Sequence, residues 1–371
     1  MNDKKKLLIF HPALAPYRVD LFNSLSEKFN AVFYFNHKNV QDQKFNQDEL
    51  IKRCNFEMNY LNSGFELMGR SVRTGIIKII TREKPEIILC SEYSPVTLIV
   101  FLYYIFSSRK LKLYTISDDS IDNSINRKGI RAFLRNLITK NIDGVIFPSK
   151  EVGDWFKVNI SEKVKTFELP IIHNDKVFRN ELTDSVSISN KYIHDYNLEN
   201  QKIILFVGRL VEVKNIGLLI DSVSKLNNDE WILLIVGEGI LEEELQLLTR
   251  KLNISKNVIF TGRKEGNELL AFFNIANLFV LPSLYEPYGA VVNEALLAGC
   301  YVLCSKYAGA SVLINSKNGE VFNPDNNDEL FILLEKHLNA VDNIKSEMKN
   351  IRQNKMPFSF DEKFNLLLDN L

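Results

Sequence analysis

Leu278-Phe279-Val280-Leu281-Pro282-Ser283-Leu284-Tyr285-Glu286-Pro287-Tyr288-Gly289-Ala290-Val291-Val292-Asn293-Glu294-Ala295 reads as an apolar strand, a turn and the start of a helix. The strand ends at Pro282, the turn exposes Glu286, and the helix begins near Gly289. Glu294 then falls one to two turns into that helix, on a face otherwise formed by Val291, Ala295 and Ala298. A carboxylate among such neighbours is costly to bury unless hydroxyls or cations meet it. Carboxylates accept well from the vicinal hydroxyls of a sugar or ribose, so two of them around one helix start suit a nucleotide sugar. The plainer alternative is one glutamate on a rim and one on a helix surface. Ligands of open α/β sheets bind outside the carboxyl ends of strands, in loops of this kind.

The same alternation runs through most of the chain. Apolar runs at 6–11, 31–35, 56–61, 86–90, 112–117 and 144–147 predict strands in the first half, with helices near 17–28, 74–82, 95–106 and 128–141. The pattern fails over 173–200, which is rich in Asn, Asp and Ser. It resumes with strands at 202–207, 231–236, 258–260, 278–281 and 301–305, separated by helices at 215–226, 241–252, 265–276 and 289–298. Continuous apolar strands between helices predict parallel sheets covered on both faces. The expected organisation is a doubly wound α/β domain over 1–172, a linker at 173–200 and a second such domain over 201–352. A terminal segment, 353–371, follows; its Phe360, Phe364, Leu367 and Leu368 recur at helical spacing and are expected to pack back on the first domain.

A chain of 371 residues, 46% hydrophobic and 25% charged, is long enough for two cores and ordinary for a globular protein. The apolar settings of Cys90, Cys300 and Cys304, and the lack of zinc spacing, predict buried reduced thiols. The apolar run after Lys4-Lys5-Lys6 is too short for a secretory signal, and 95–106 is too short to span a bilayer and is expected to be a buried helix. These features predict a cytoplasmic protein. Net charge is zero, yet residues 1–172 carry 26 Lys and Arg against 19 Asp and Glu, and the remainder 20 against 27. The first half either meets something anionic or differs by chance in its solvated surface.

Two further strand-end loops of the second half carry chemistry. In Gly208-Arg209-Leu210-Val211-Glu212-Val213-Lys214-Asn215 two cations flank the start of a helix, an arrangement suited to a diphosphate. Gly237-Glu238-Gly239 is a tight turn that by itself says little about a ligand. No Walker loop, nucleophile elbow or Cys-His pair occurs, and the five histidines form no ligand set, so hydrolase chemistry is unsupported.

The frame Pro-Ser-x2-Glu-Pro-Tyr-Gly-x4-Glu-Ala, preceded in order by Gly208-Arg209-Leu210 with Lys214, by Gly237-Glu238-Gly239 and by Phe260-Thr261-Gly262, resembles the family-4 retaining glycosyltransferases. Gly309 and Asn318-Gly319 extend the match, which covers about 202–325. That resemblance implies the GT-B fold, two Rossmann-like domains facing across a cleft. It implies that Arg209 and Lys214 bind the donor diphosphate, that Glu294 accepts from ribose hydroxyls and that Glu286 holds hydroxyls of the transferred sugar. Gly208, Gly237, Tyr288, Gly289, Ala290 and Val291 then line the donor site, with Arg263 beside the base. The implied reaction is retaining transfer of a sugar from a nucleoside diphosphate to a glycan or lipid-linked acceptor, in cell-surface polysaccharide or lipopolysaccharide assembly, with no cofactor or metal. A sugar-nucleotide epimerase of the same fold and a non-catalytic binding subunit are the rival readings.

On the acceptor side the resemblance points to the first domain, where His11-Pro12-Ala13-Leu14-Ala15-Pro16-Tyr17-Arg18 follows a strand. Arg18 is expected to touch the diphosphate or an acidic acceptor, or else to lie on the surface. Asp118 and Asp119 stand where many relatives place a histidine; Asp118 is the candidate catalytic group and Asp119 a neighbour, and a metal on the pair is not expected. Glu92 is a further acceptor-side candidate. The basic, amphipathic segment 127–140 fits either peripheral docking on an anionic membrane or simple packing with its basic side to water. No nucleic-acid partner is expected.

Overall fold

The computed structural model describes residues 4–39, 45–67, 70–108, 110–227, 230–369 and 371. Contacts divide the chain into two compact units: Met1–Ile171 with Asp361–Leu371, and Ile172–Phe360.

The first unit holds β1 (Lys6–His11), β2 (Asn30–Phe35), β3 (Met58–Tyr60), β4 (Gly64–Leu67), β5 (Arg70–Arg73), β6 (Ile87–Ser91), β7 (Lys112–Ile116), β8 (Gly144–Phe147) and β9 (Thr166–Glu168). Seven of them form one parallel sheet in the order β3-β2-β1-β6-β7-β8-β9, while β4 and β5 pair as a separate antiparallel hairpin. The chain works outward from β1 to β3 and then restarts at β6 on the other side of β1. The loops after β1 and β6 therefore flank a topological switch point, where open sheets leave room for a ligand.

The second unit repeats the logic with β10 (Lys202–Val207), β11 (Trp231–Val236), β12 (Val258–Gly262), β13 (Leu278–Leu281), β14 (Tyr301–Ser305) and β15 (Gly319–Phe322). Their order is β12-β11-β10-β13-β14-β15, every pairing parallel, and the switch lies between β10 and β13. Successive residues Ile203, Ile204, Leu205 and Phe206 are all fully buried, so helices cover both faces of this sheet. Its core joins Ile204 and Phe206 to Leu219, Leu233, Ile235 and Val280; that of the first unit joins Leu8 and Phe10 to Ile88, Val100 and Leu113.

Three expectations need correction. The stretch 173–200, read as a linker, is two helices of the second unit, Asp175–Asp184 and Val186–Asp195. Asn174 caps the first by accepting from the amides of Lys176 and Val177. Phe178, Leu182, Tyr192 and Ile193 are buried, and Tyr192 stacks on Phe272 at 4.6 Å. The Ser185 and Ser189 hydroxyls that made the stretch read as loop donate to the carbonyls of Leu182 and Ser185, and the Asn274 amide donates to the Leu182 carbonyl at 2.8 Å.

The helix Pro95–Phe106 is not wholly buried: Val96, Val100 and Phe101 face the core, but Leu102, Ile105 and Phe106 are exposed. In the helix Gly129–Lys140 the expected sides are partly exchanged. Arg135 is buried and donates to the Ser124 carbonyl at 2.8 Å, while Ile130, Phe133 and Leu137 face solvent.

The last helix, Phe360–Leu368, places Asp361–Leu371 in the first unit. Lys363 pairs with Glu168 at 2.9 Å and Lys112 donates to the Leu371 carbonyl at 2.8 Å. The chain thus leaves the first unit at 171 and returns to it at 361.

Because Leu182 is fully buried against the second unit, Leu182→Ala is expected to cost about 2–5 kcal/mol in urea unfolding. A loss within about 0.5 kcal/mol would mean that the segment is the solvated connection its composition suggests.

Candidate functional site

In the second unit the loops after β10 and β13 meet. Residues Glu212–Lys214 form a single 3-10 turn, and Asn215 leaves it in the left-handed conformation (φ 50°) that asparagine tolerates better than most side chains. This reversal sets Lys214 immediately before the helix Ile216–Ser224. The amide of Leu284 donates to the Val213 carbonyl at 2.9 Å and ties the second loop to the first. Across that tie the Lys214 ammonium contacts the Glu286 carboxylate, both side chains being about 15% exposed. Glu286 is itself held by its carbonyl, which accepts from the Gly309 amide at 3.1 Å. Gly289 has a φ of 92°, and a Cβ there would press on the Glu286 side chain; glycine at this position is what lets the loop fold over the carboxylate.

Glu294 sits in the first turn of the helix Val291–Leu297, and His173 Nε2 lies 3.4 Å from its carboxylate. His173 is buried, stacks on Phe178 at 4.9 Å, and its amide donates to the Asn293 side chain at 2.8 Å. Neither His173 nor Asn293 was singled out by sequence reasoning, because His173 lies in the stretch that reads as linker.

Arg209 is exposed and makes no ion pair among the described residues. Arg263 lies on the loop after β12, bound to Glu265 and 3.6 Å from Glu238, and so bridges two strand-end loops. Gly208 and Gly237 belong to the same seam: the Gly208 amide donates to Val236, the Gly237 amide to Gly262, and a Cβ at 237 would strike the Gly208 carbonyl. Tyr288 is buried, whereas Ala290 and Val291 are partly exposed at the helix start.

The first unit gathers its candidates around its own switch point. Arg18 is buried, not on the surface, and its guanidinium contacts Asp118. The two neighbouring aspartates turn to different arginines: Asp119, buried, meets Arg127 at 2.5 Å. Arg127 is thereby drawn inward from the basic segment. His11 Nδ1 lies 2.8 Å from the Ala13 carbonyl, which assigns the proton to Nδ1 and leaves Nε2 as an acceptor. Burial, and then Arg18, lower the His11 pKa to about 4, so its imidazole is neutral near pH 7.

Glu92, the first residue after β6, has a φ of 51°. Neighbouring strand β7 fixes that conformation: the Glu92 amide donates to Ile116 at 2.7 Å and its carbonyl accepts from the Thr115 hydroxyl at 2.9 Å. Burial pushes its carboxyl up to about 7, reinforced by Asp118 and Asp119 and opposed by Arg127 and Arg18. A carboxyl with that value exchanges its proton near neutrality.

Residues 189–355 match the family described as Glycosyl transferases group 1. The matched stretch lies wholly within the second unit. Similar proteins include an uncharacterized glycosyltransferase of Methanocaldococcus jannaschii, 36% identical over 36% of this chain and 34% of that protein. Another is the N-acetylgalactosamine-N,N'-diacetylbacillosaminyl-diphospho-undecaprenol 4-alpha-N-acetylgalactosaminyltransferase of Campylobacter jejuni, 28% identical over 53% of each chain. The alpha-monoglucosyldiacylglycerol synthase of Streptococcus pneumoniae is 27% identical over 51% of this chain and 42% of that one. The matches thus span about a third to a half of these curated relatives.

Among solved structures, HepE of Anabaena in complex with UDP superposes with a TM-score of 0.71 at 16% identity, over 89% of each chain. The lipopolysaccharide outer core galactosyltransferase WaaB does so at 0.68 and 17% identity, over 99% of this chain and 100% of that one. At such identities the likeness establishes the GT-B fold. No helix of the described residues is long and apolar enough to cross a membrane.

The pH dependence of stability tests the Glu92 environment. Between its usual 4.5 and about 7 the folded chain holds a proton that the unfolded chain has released, so the contribution of Glu92 is full at low pH and is lost as pH rises through 7. Glu92→Gln removes that loss. The melting-temperature difference between variant and wild type should grow by about 2–4 °C from about pH 5 to about pH 8. A difference constant across that range would mean that the carboxyl titrates as an ordinary glutamate.

Proposed function

We propose that this glycosyltransferase moves a sugar from a nucleoside-diphosphate donor to a glycan or lipid-linked acceptor with retention of anomeric configuration, in assembly of a cell-surface polysaccharide or lipopolysaccharide. The observation that carries the reading is the convergence of Lys214, Glu286 and Glu294, with exposed Arg209 nearby in sequence, on the switch point of the second unit. The activities named for two similar proteins support the acceptor class and the stereochemistry: one acts on a diphospho-undecaprenol, one makes a glucosyldiacylglycerol, and both names specify an alpha product. HepE solved with UDP supports a nucleoside-diphosphate donor.

In the proposed reaction Lys214 exchanges Glu286 for the donor diphosphate, and Arg209 turns onto the same group. Glu286, released, accepts from hydroxyls of the transferred sugar; Glu294, held by His173, accepts from the ribose hydroxyls, and Arg263 lies beside the base. The bond from the anomeric carbon to the diphosphate oxygen breaks with its electron pair going to the diphosphate, whose charge the two cations stabilise. The acceptor hydroxyl attacks on the same face, and its proton passes to a donor phosphate oxygen. In the first unit, His11, Arg18, Asp118, Asp119 and Glu92 form the acceptor side. No metal is needed, because the cations already oppose the diphosphate charge.

Contact with the inner face of an anionic membrane belongs to the same reading. Ile130, Phe133 and Leu137, spaced i, i+3 and i+7 along one helix, are 75%, 64% and 39% exposed, and Lys128, Arg131 and Lys140 are exposed beside them.

Two measurements test these assignments. A thermal-shift screen against UDP, GDP, ADP and CMP, with and without EDTA, should show one nucleoside diphosphate adding about 2.7 kcal/mol at about 100 times its Kd, regardless of chelator. Lys214→Ala should lower turnover about 100-fold or more, and Glu294→Ala should weaken nucleotide binding without changing the fold. Wild-type turnover in the first variant would falsify the diphosphate role, and unchanged nucleotide affinity in the second would remove the ribose role. For the membrane, the Ile130→Glu, Phe133→Glu double variant should lose cosedimentation with phosphatidylglycerol vesicles that wild type shows. Equal cosedimentation of both proteins would place the contact elsewhere.

A further inference from the structure

A polar pocket of about 400 Å³ lies in the first unit, lined by Asn36, His37 and Lys38 after β2, by Tyr60 and Asn62 at the end of β3, and by Arg73 at the end of β5. It opens outside the carboxyl ends of two parallel strands. The amides of Asn36 and His37 donate to the carbonyls of His11 and Pro12 at 3.1 and 2.9 Å, which fixes the pocket beside the loop after β1. Gln47 donates to the Leu14 carbonyl of that loop at 3.3 Å and to Oδ1 of the lining residue Asn39 at 3.2 Å.

The lining holds no carboxylate among the described residues, so Arg73 and Lys38 make a one-sided positive field. Arg73 Nη2 lies 3.1 Å from His37 Nδ1; the guanidinium donates, which leaves the imidazole neutral with its proton on Nε2. Two buried polar atoms at the pocket lack partners among the described residues: Nε of Arg73, a donor, and Oδ1 of Asn36, an acceptor. Such orphans cost about 1–3 kcal/mol each, more for a charged group, unless a ligand satisfies them. Arg73 Nε needs an acceptor, and two formal positive charges match a phosphate better than a single carboxylate. Asn36 Oδ1 needs a donor, which phosphate oxygens lack and a sugar hydroxyl has.

We propose that this pocket binds a phosphorylated sugar, its phosphate on Arg73 and Lys38 and a ring hydroxyl donating to Asn36. That the bound group is the acceptor of transfer rests on the function proposed above; the chemistry of the pocket does not. The phosphate belongs either to a free sugar phosphate or to the diphosphate of a lipid-linked sugar.

Calorimetric titration with glucose 1-phosphate, glucose, inorganic phosphate and farnesyl diphosphate tests the pocket. Using Lys214→Ala, Arg209→Ala protein throughout removes both competing cations of the second unit. Glucose 1-phosphate should bind at least about tenfold more tightly than glucose, and Arg73→Gln should abolish that advantage while Arg73→Lys retains part of it. Asn36→Leu should erase the preference for glucose 1-phosphate over inorganic phosphate. Farnesyl diphosphate competing at the pocket, and lost with Arg73→Gln, assigns the lipid-linked source; failure to compete assigns the free sugar phosphate. Equal affinity for glucose and glucose 1-phosphate, or undiminished phosphate binding in a folded Arg73→Gln protein, overturns the proposal. Binding of glucose 1-phosphate by a protein whose wild-type form binds no nucleoside diphosphate would overturn the transfer reading and leave the pocket standing.

Discussion

Bringing the ammonium of Lys214 and the carboxylate of Glu286 to about 15% exposure strips both of hydration, at a cost of several kcal/mol for each ion unless the partner stays in place. Each charge therefore fixes the other, and the two loops that carry them cannot separate without leaving a charge uncompensated. The Leu284–Val213 hydrogen bond and the Gly309–Glu286 bond add neutral ties to the same junction. The pair sits where it does because β10 and β13 are neighbours although the chain runs through two other strands between them. A diphosphate arriving at Lys214 substitutes one anion for another, so the site can accept a charged ligand without first paying to bury an isolated cation.

The first unit handles charge differently. Its excess of basic residues is not a uniform positive surface, since Arg18 and Arg135 are buried, Arg18 on Asp118, and Arg127 pairs with the buried Asp119. Around its switch point lie a neutral His11 and a Glu92 that titrates near neutrality, and of the two only Glu92 is set to exchange its proton there. Where the second unit offers fixed charges suited to a diphosphate, the first offers a polar, nearly neutral wall beside the more positive pocket at Arg73.

The main contrast between pattern and structure lies at 173–200. Buried apolar residues there are few and are separated by Ser185, Ser189 and Asn174, which sequence reading assigns to loops. Each is satisfied by a cap or by a carbonyl within or beside the helices, so polarity does not prevent burial. The consequence reaches the site, because the same segment delivers His173 to Glu294. Likewise the helix Gly129–Lys140 has a basic, amphipathic pattern, but which side is buried depends on Asp119, Ser124, Trp155 and Phe156 around Arg127 and Arg135.

The sequence by itself determined the parallel, doubly wound class, the residue content of the strands and the candidates Arg209, Lys214, Glu286 and Glu294. Those properties depend on local periodicity and on short spacings within one strand–loop–helix unit. Only the tertiary structure decided which loops are neighbours, which aspartate faces which arginine, that His173 supports Glu294, and that Arg73 and His37 share a pocket. These depend on strand order, and strand order is set by the packing of many distant apolar residues rather than by any one stretch of chain.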